Sequence, residues 1–581
     1  MALKLYLISD FNLDTLGHCL ANDQSAPQLS VSSAPFGQVL PPLLTLSDCQ
    51  AADFVVVWTS PEATIPSFAE SFNYKSIDED QLISEVQQFA ELLRKAHKRC
   101  QAMFVVSWTI PHFRRGNGIL SLKQQGTRRL LLKMNLQLAD ELADCGNVYL
   151  LDGQRWMEAV GKYSYSPKLW YMTKTPFHAD LCRRAARELK AAIAAVRGES
   201  KKLVILDLDN TLWGGVVADV GWENLRLGGH DYLGEAFLDF QKALKALRNR
   251  GIVLAVASKN DESIALEAIS KHPEMVLRLE DFAAWRINWN DKATNVAEIA
   301  AELNLGLQSA IFIDDNRGER DRVREALPEV YVPEWPDDKT LFASQLMELD
   351  CFDAAYSTAE DASRTSMYAA ERQREFSRKA ACSVEEWLIS LQTEVTVEEA
   401  CEANRVRVLQ LLNKTNQMNL STRRLSDHEL QVWLQPANRK LWAFRVKDKF
   451  GDSGVTGILS LEMEAGSARI IDFVLSCRLI GRKVENAMVA FAVEYCMAVR
   501  LKELHARYVP TAKNKPCLSF WMSSGFSQNE SENRFTWQLC DPYPFPKGIR
   551  VSPPHAYGSL VRSPQQLSVQ AERASLPVAN N

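Results

Sequence analysis

The sequence predicts a multidomain α/β chain, and three observations carry that reading. Two regions, 1–195 and 200–345, alternate short apolar runs with amphipathic helical patterns, as parallel sheets covered by helices require. Within the second region, three apolar runs end directly in polar side chains. From residue 440 the pattern changes to successive strands followed by one long apolar helix, which predicts a separate α+β domain. At 581 residues the chain is also too long for a single core.

Residues 1–195 read as an independent three-layer α/β domain. The runs 5–8, 54–58, 104–108 and 148–151 have the apolar, β-branched character of strands, while 80–98 and 127–144 repeat their apolar residues at helical spacing. Ile8-Ser9-Asp10-Phe11-Asn12 follows the first strand, and Phe177-His178-Ala179-Asp180 comes late in the region. This layout resembles the SGNH hydrolases, whose Ser nucleophile and His base would be Ser9 and His178. The Gly-Asp-Ser order is absent, and Thr175 rather than Asp stands three residues before His178. The domain is therefore expected to be degenerate or a binding module, because likeness of fold does not carry chemistry.

The region 200–345 holds the densest chemistry. Leu203-Val204-Ile205-Leu206 has no polar alternation, which suits a parallel strand covered on both faces. It feeds Asp207 and Asp209, and residues two apart in an extended segment face the same side. One carboxylate could then act as nucleophile and the other as acid/base. Thr211 could hold the turn that follows, although short Asp/Asn clusters also make plain Asx-turns. A second run, 251–257, ends in Ser258, and a third, 309–313, ends in Asp314 and Asp315. Lys292 falls between them, at the start of a helical pattern.

In this order of nucleophile motif, Ser, Lys and acidic pair, the region resembles a haloacid-dehalogenase-superfamily phosphatase with a Rossmann-like sheet. The resemblance implies that Asp207 becomes an aspartyl-phosphate and that Asp209 protonates the leaving group and later activates water. Thr211, Ser258 and Lys292 would bind the phosphoryl group. Mg²⁺ would be held by Asp207, the backbone carbonyl of Asp209 and one or both of Asp314 and Asp315, since this ion favours a few carboxylates together with water and phosphate. Closer still, Asp207-Leu208-Asp209-Asn210-Thr211-Leu212-Trp213-Gly214-Gly215, Ala257-Ser258-Lys259-Asn260-Asp261, Asn288-Trp289-Asn290-Asp291-Lys292 and Ile313-Asp314-Asp315-Asn316 resemble the FkbH-like branch. That branch loads a glyceryl unit from 1,3-bisphosphoglycerate, a phosphorylated small-molecule acyl donor, onto the phosphopantetheine arm of an acyl carrier protein in polyketide-type pathways. The gaps between motifs hold only a Gly-rich flap, 214–234, and about thirty residues after Ser258, too few for a cap domain. The site is expected to be open.

Residues 346–385 are charged and helical in pattern and read as a solvated connecting helix. The α+β domain is expected over 386–545. A helix is predicted at 400–412, followed by an Asn/Thr-rich stretch, 413–422, too polar for core. That stretch reads either as a ligand contact or as a loop capped by its own side chains. Strands are predicted at 441–446, 454–461 and 468–477, with a turn at 448–451. The third leads into Arg478-Leu479-Ile480-Gly481-Arg482-Lys483-Val484-Glu485 and a long apolar helix, 487–499. A basic, Gly-containing turn that opens a helix offers backbone N–H groups and the helix dipole to an anion.

This portion resembles a GNAT acyltransferase, in which such a turn cradles the pyrophosphate of coenzyme A. The resemblance implies phosphopantetheine or coenzyme A contacts at Arg478, Gly481, Arg482 and Asn514. Trp521 stands where Tyr is more usual, which weakens ordinary acetyl transfer but leaves a phosphopantetheine-binding role. Cys477, beside Arg478 and a helix N-terminus, reads either as the carrier of a transient acyl thioester or as a packed strand cysteine. Residues 546–581 contain few large apolar groups after Val551 and are expected to form a disordered tail.

Composition narrows the partners. A net charge of −5 and pI near 6.1, with no basic run, argue against nucleic-acid binding. The 12 cysteines show no C-x-x-C pairs and no signal peptide precedes them, so they read as reduced thiols of a cytoplasmic protein. The apolar runs are far short of a membrane span. The expected function is Mg²⁺-dependent phosphatase and acyl (glyceryl) transferase chemistry on a carrier protein. The alternatives are a stand-alone phosphatase and an acyltransferase whose phosphatase core is a scaffold.

Overall fold

The fold is that of a computed structural model, which describes residues 2–355, 374, 377–378 and 381–554 apart from positions 24, 50, 51, 465, 512 and 530–532. Two compact units are present, Met1–Ser200 with Asp353–Ala355, and a second that begins at Lys201. Among the described residues no helix is long and apolar enough to cross a membrane. The expected connecting helix at 346–385 lies largely outside the described residues.

In the first unit, β1 (Leu3–Ile8), β2 (Leu29–Ser33), β3 (Phe54–Val57), β4 (Ala102–Val106) and β5 (Val148–Leu151) form a parallel sheet in the order β2-β1-β3-β4-β5. Alternate residues enter opposite layers. Val55, Val57, Met103 and Val105 pack into one, Phe54, Val56, Phe104 and Val106 into the other. Sequence reading finds four of these strands and misses β2, because in Leu-Ser-Val-Ser-Ser only Leu29 is buried. Helices Glu79–Ala96 and Thr127–Leu142 fall where their periodicity puts them, and Ala179–Val196 adds a further helix.

The second unit begins with β6 (Leu203–Leu206), β7 (Val253–Ser258), β8 (Phe282–Ile287) and β9 (Ala310–Ile313), parallel and ordered β8-β7-β6-β9. Leu203 and Ile205 face one helix layer, Val204 and Leu206 the other, so the unalternated run is buried on both faces. Burying each such side chain contributes about 1.5–3 kcal/mol. Strand β8, Phe-Ala-Ala-Trp-Arg-Ile, carries an Arg and escapes a reading that looks for apolar runs. The register aligns Leu206 with Val256 and Ile313, so β6, β7 and β9 deliver their following residues to one edge of the sheet.

The remaining strands are β10 (Thr393–Glu399), β11 (Met418–Asn419), β12 (Arg439–Asp448), β13 (Gly451–Glu464), β14 (Ser467–Leu475), β15 (Glu503–Arg507), β16 (Ser527–Asn529), β17 (Arg534–Gln538) and β18 (Ile549–Ser552). They build a mixed sheet, mostly antiparallel, whose order is β16-β17-β15-β14-β13-β12-β10-β18, with β11 beside β14. Helices Glu402–Lys414 and Val484–Ala498 contribute to its two apolar clusters.

Three expectations change here. The stretch 413–422 does enter the core, because Met418, Asn419 and Leu420 are buried where β11 pairs with β14. Strand β14 stops at Leu475, so Cys477 opens a short 3-10 turn, Cys477–Leu479, instead of ending the strand. Part of the tail expected from 546 is ordered. Ile549–Ser552 pairs with Thr393–Thr396, and Val551 is buried by that pairing; residues 555–581 lie outside the described residues.

Candidate active site

The site grows from the ends of β6, β7 and β9. The Asp207 N–H donates to the Ile313 carbonyl at 3.0 Å, carrying the ladder one residue beyond β6. The chain then turns through Asn210, whose φ of +57° lies in the left-handed region that Asn tolerates. Its Oδ1 accepts the Gly215 N–H at 3.0 Å and fixes the turn. At the end of β9 the Asn316 N–H donates to Asp314 Oδ1 at 2.8 Å, and Arg320 donates to the carbonyls of Asp314 and Asp315, both at 2.8 Å. Helix Lys292–Glu302 starts after its capping residue Asp291, which puts Lys292 in the first turn.

These elements converge on a lysine clamp. The ammonium of Lys292 lies 2.9 Å from Asp207 Oδ1 and 2.5 Å from Asp314 Oδ2, and all three side chains are buried. Burial works against the lysine charge, but the two carboxylates outweigh it and hold Lys292 above its usual range. For Asp314, burial first and then the neighbouring Asp207 charge push the carboxyl up to about 7, with Lys292 opposing both.

Asp209 has a different setting. Its Oδ1 accepts from Trp213 Nε1 at 2.9 Å and the Val217 N–H at 3.1 Å, and its Oδ2 accepts from Asn260 Nδ2 at 2.9 Å. Burial nevertheless raises it above the ordinary carboxylate range, the hydrogen bonds pulling the other way. A raised carboxyl beside a second carboxylate held by lysine is the pairing that separates an acid from a nucleophile.

Asp207, Asp314 and Asp315 each offer a carboxylate oxygen, and these oxygens lie within 4.8 Å of one another. Such hard donors suit Mg²⁺. Asp315 Oδ2 also takes the ammonium of Lys339 at 3.0 Å. The side chain of Asp209 is turned towards Trp213, Val217 and Asn260, so it does not compete for the ion. Thr211 is fully buried, and its Oγ1 accepts the Asp315 N–H at 3.1 Å, which ties the β6 and β9 loops together. Thr211 thus serves as a structural tie, and its hydroxyl keeps an O–H to donate. Ser258 is buried at the end of β7.

The cover over this centre is slight. After Val216 come a single helical turn, Val217–Val220, and a 3-10 turn, Trp222–Asn224. Val216, Tyr232 and Trp289 remain exposed. Sequence reading passes over Trp213, Asn260 and Lys339. The first two lie inside the quoted motifs, Trp213 four residues after Asp209 and Asn260 two residues after Ser258, and a polar-capable side chain so close to a site residue is the signal that could find them. Lys339 lies outside every motif and has no such signal.

The residues expected to hold phosphopantetheine are arranged differently. Cys477 is half-buried. Gly481, at φ +82°, donates its N–H to Glu485 Oε1 at 3.2 Å, so a carboxylate of the chain already sits on the anion-binding turn. Arg482 is buried and lies 3.5 Å from Asp448, which also receives a forked pair of bonds from Arg374 at 2.7 and 2.8 Å. Asn514 is fully buried. Its amide donates to the carbonyls of Asn419 and Val509, and its Oδ1 accepts from Tyr508 and the Thr511 N–H. With both donors and its acceptor taken, Asn514 is an internal strut and not the expected ligand contact. In the first unit, Ser9 accepts the Phe11 N–H, while the exposed His178 pairs with Asp180 at 3.1 Å and caps its helix. No hydrogen bond joins Ser9 and His178.

No family model and no curated protein matches the chain. Among solved structures it is similar to the N-terminal part of protein BF1531 from Bacteroides fragilis, which contains a phosphatase domain and is complexed with Mg. The identity is 29% over 61% of this chain and 95% of that one, with a TM-score of 0.56. A spermidine N-acetyltransferase from Vibrio cholerae in complex with CoA and spermine matches 25% of this chain and 95% of its own, at 14% identity and a TM-score of 0.21. The ribosomal-protein-S18-alanine N-acetyltransferase of Escherichia coli matches 25% and 94%, at 8% identity and a TM-score of 0.20. These last two are too slight to argue from. The sheet topologies and the first likeness give the chain its class, a multidomain α/β protein built around a Rossmann-like sheet of the haloacid-dehalogenase kind.

Proposed function

We propose that this protein is a Mg²⁺-dependent phosphatase-type enzyme that takes a phosphorylated three-carbon acyl unit from 1,3-bisphosphoglycerate and loads it onto an acyl carrier protein, as FkbH-like enzymes of polyketide-type biosynthesis do. The observation that carries the phosphatase part is the lysine clamp, with Asp207 and Asp314 on one ammonium and Asp209 raised beside them. The likeness to a Mg-complexed phosphatase-domain structure supports it.

The chemistry follows from the side chains. A carboxylate oxygen of Asp207 attacks phosphorus as the bond to the leaving oxygen breaks, and Asp209 supplies the proton that oxygen needs. Asp209 then takes a proton from the water that attacks the aspartyl-phosphate, releasing phosphate and restoring Asp207. Lys292 orients Asp207 and neutralises phosphoryl charge, with Ser258 at the adjacent strand end. Asp207, Asp314 and Asp315 would hold Mg²⁺, which supplies charge neutralisation that lets an anionic substrate approach carboxylates.

The slight cover supports a bulky, protein-borne acceptor. In the transfer, the Cys477 thiolate attacks the C1 carbonyl of the acyl phosphate and expels that phosphate, the phosphopantetheine thiol then displaces Cys477 to form the carrier thioester, and the Asp207 cycle removes the phosphate ester at C3. A second reading, a plain phosphatase, is favoured by one observation: Glu485, Asp448 and the neighbours of Asn514 already engage the groups expected to hold phosphopantetheine.

The test is incubation of the protein with Mg²⁺, 1,3-bisphosphoglycerate and a panel of holo carrier proteins, with phosphate and carrier mass followed together. A glyceryl adduct lost in both Asp207→Asn and Cys477→Ala supports the coupled reaction. Phosphate release with no adduct on any carrier establishes the plain phosphatase, and an adduct that survives Cys477→Ala removes that thiol from the mechanism.

A further inference from the structure

Between β4 and helix Thr127–Leu142, the first unit carries a surface on which apolar side chains and unpaired cations stand side by side. From Cys100 to Ala139 the chain has six Lys and Arg residues and no Asp or Glu, although its net charge is −5.

The connection is held by its own backbone. Gly118 donates its N–H to the Arg115 carbonyl at 3.1 Å, Leu120 to that of Asn117 at 3.1 Å, and Lys123 to that of Leu120 at 2.9 Å. The Arg129 N–H reaches the Ser121 carbonyl at 3.0 Å, and Asn117 Oδ1 accepts the Thr127 N–H at 3.1 Å. Gly126 permits this closeness, since a Cβ there would stand 2.4 Å from the carbonyl oxygens of Leu120 and Ser121. The turn 118–123 is thereby fixed against the first turn of the helix, beside Arg128 and Arg129.

Its apolar side chains have nowhere to go within the chain. Ile119 is 95% exposed, and Leu120 and Leu122 are each more than half exposed. Leu132 and Leu136, also more than half exposed, continue the apolar surface along the stripe of the helix that begins at Arg129. The cations lack counter-charges as well. Lys133 pairs with Glu79, but among the described residues Arg115, Lys123, Arg128 and Arg129 form no ion pair.

Exposed apolar groups gathered in this way mark an interaction surface. We infer that this one docks the protein on an anionic lipid bilayer, with Ile119, Leu120 and Leu122 entering the acyl boundary and Arg115, Lys123 and Arg129 meeting lipid phosphates. Charge complementarity selects an anionic partner. The aliphatic tips select lipid over nucleic acid, because they cannot stack on bases. An isoleucine exposed on nearly every side needs a matching hole in a rigid protein partner, whereas fluid acyl chains close around it. The protein then lies on the bilayer without spanning it, and the docking does not depend on the chemistry of Asp207.

The experiment is co-sedimentation of the full chain with vesicles of phosphatidylcholine alone and of phosphatidylcholine and phosphatidylglycerol in equal parts. Binding to the anionic vesicles is expected to be at least about ten-fold tighter, and to weaken as salt screens the cations. Ile119→Ser with Leu122→Ser, and separately Arg115→Gln with Arg129→Gln, are each expected to weaken it at least about ten-fold. Circular dichroism confirms that both pairs of variants fold, and both are expected to release phosphate like the parent. Equal binding to the two kinds of vesicle, or binding indifferent to the Ile119 and Leu122 changes, overturns the assignment. Absence of vesicle binding overturns it too, and a holo carrier protein or single-stranded RNA held through the same arginines would then make the surface a protein or nucleic-acid interface.

Discussion

Replacing Lys292 by Met keeps an unbranched side chain one atom shorter and removes the charge that two buried carboxylates share. The ammonium sits 2.9 Å from Asp207 and 2.5 Å from Asp314. At an effective dielectric constant of about 20, a single ion pair near 2.9 Å amounts to about 6 kcal/mol of Coulomb energy. Part of that is offset because the lysine no longer has to be desolvated and because one carboxyl can take a proton. Breaking a buried pair of this kind costs about 3–5 kcal/mol, a large share of the about 5–15 kcal/mol that stabilises a typical domain.

The assay is urea unfolding at pH 7.5 in chelator and again with Mg²⁺, for the parent and Lys292→Met. In chelator the variant is expected to unfold at clearly lower urea. Mg²⁺ is expected to stabilise it more than it stabilises the parent, since the ion then faces two carboxylates without a resident cation and ligand binding to the folded state adds to stability. Equal midpoints in chelator, or a Mg²⁺ shift no larger than the parent's, would refute the shared-charge account of this clamp.

Asp209→Asn is expected to lower the rate of phosphate release at least about 100-fold with unfolding unchanged, measured by steady-state phosphate assay, because it removes a positioned acid and base. Asn260→Leu deletes a hydrogen bond that lowers the Asp209 pKa against the upward effect of burial. Its loss raises Asp209 further, so the limb of the pH–rate profile that reports this carboxyl should move to higher pH, and a profile that stays put or moves down contradicts the assignment. Lys339→Met frees Asp315 from its ammonium at 3.0 Å. Titration with Mg²⁺ should then show several-fold tighter binding, a change within the range of a partly exposed ion pair.

The phosphatase centre was legible in sequence because its carboxylates sit immediately after uninterrupted apolar runs. Leu203–Leu206 and Ala310–Ile313 are short enough to be strands and apolar enough to be central ones, so Asp207 and Asp314 had to emerge at the same sheet edge. What periodicity could not supply was the partner of each polar group. The Thr211 hydroxyl accepts the Asp315 N–H, a tie the motif does not announce, and Asn514 reads as a pantetheine contact and is held on all sides. Both depend on which loop lies opposite, which no local pattern encodes. Edge strands such as Leu29–Ser33 and Phe282–Ile287 escaped for a related reason. They are less covered, so polar residues dilute their apolar signal.

The pairing of β6 with both β7 and β9 has a consequence for how the centre comes into being. Leu206 lies beside Ile313, and the lysine and acidic pair that complete the site arrive only with the far part of the chain. Parallel pairing over such a separation must close a long loop before any ladder bond offsets the entropy lost, which makes it a late and slow event in folding. Until β9 docks, Asp207 has neither Asp314 nor a fixed Lys292 beside it. Mg²⁺ affinity at this centre should therefore appear with the last folding phase, so that a chelation-sensitive signal followed during refolding would time the docking of β9.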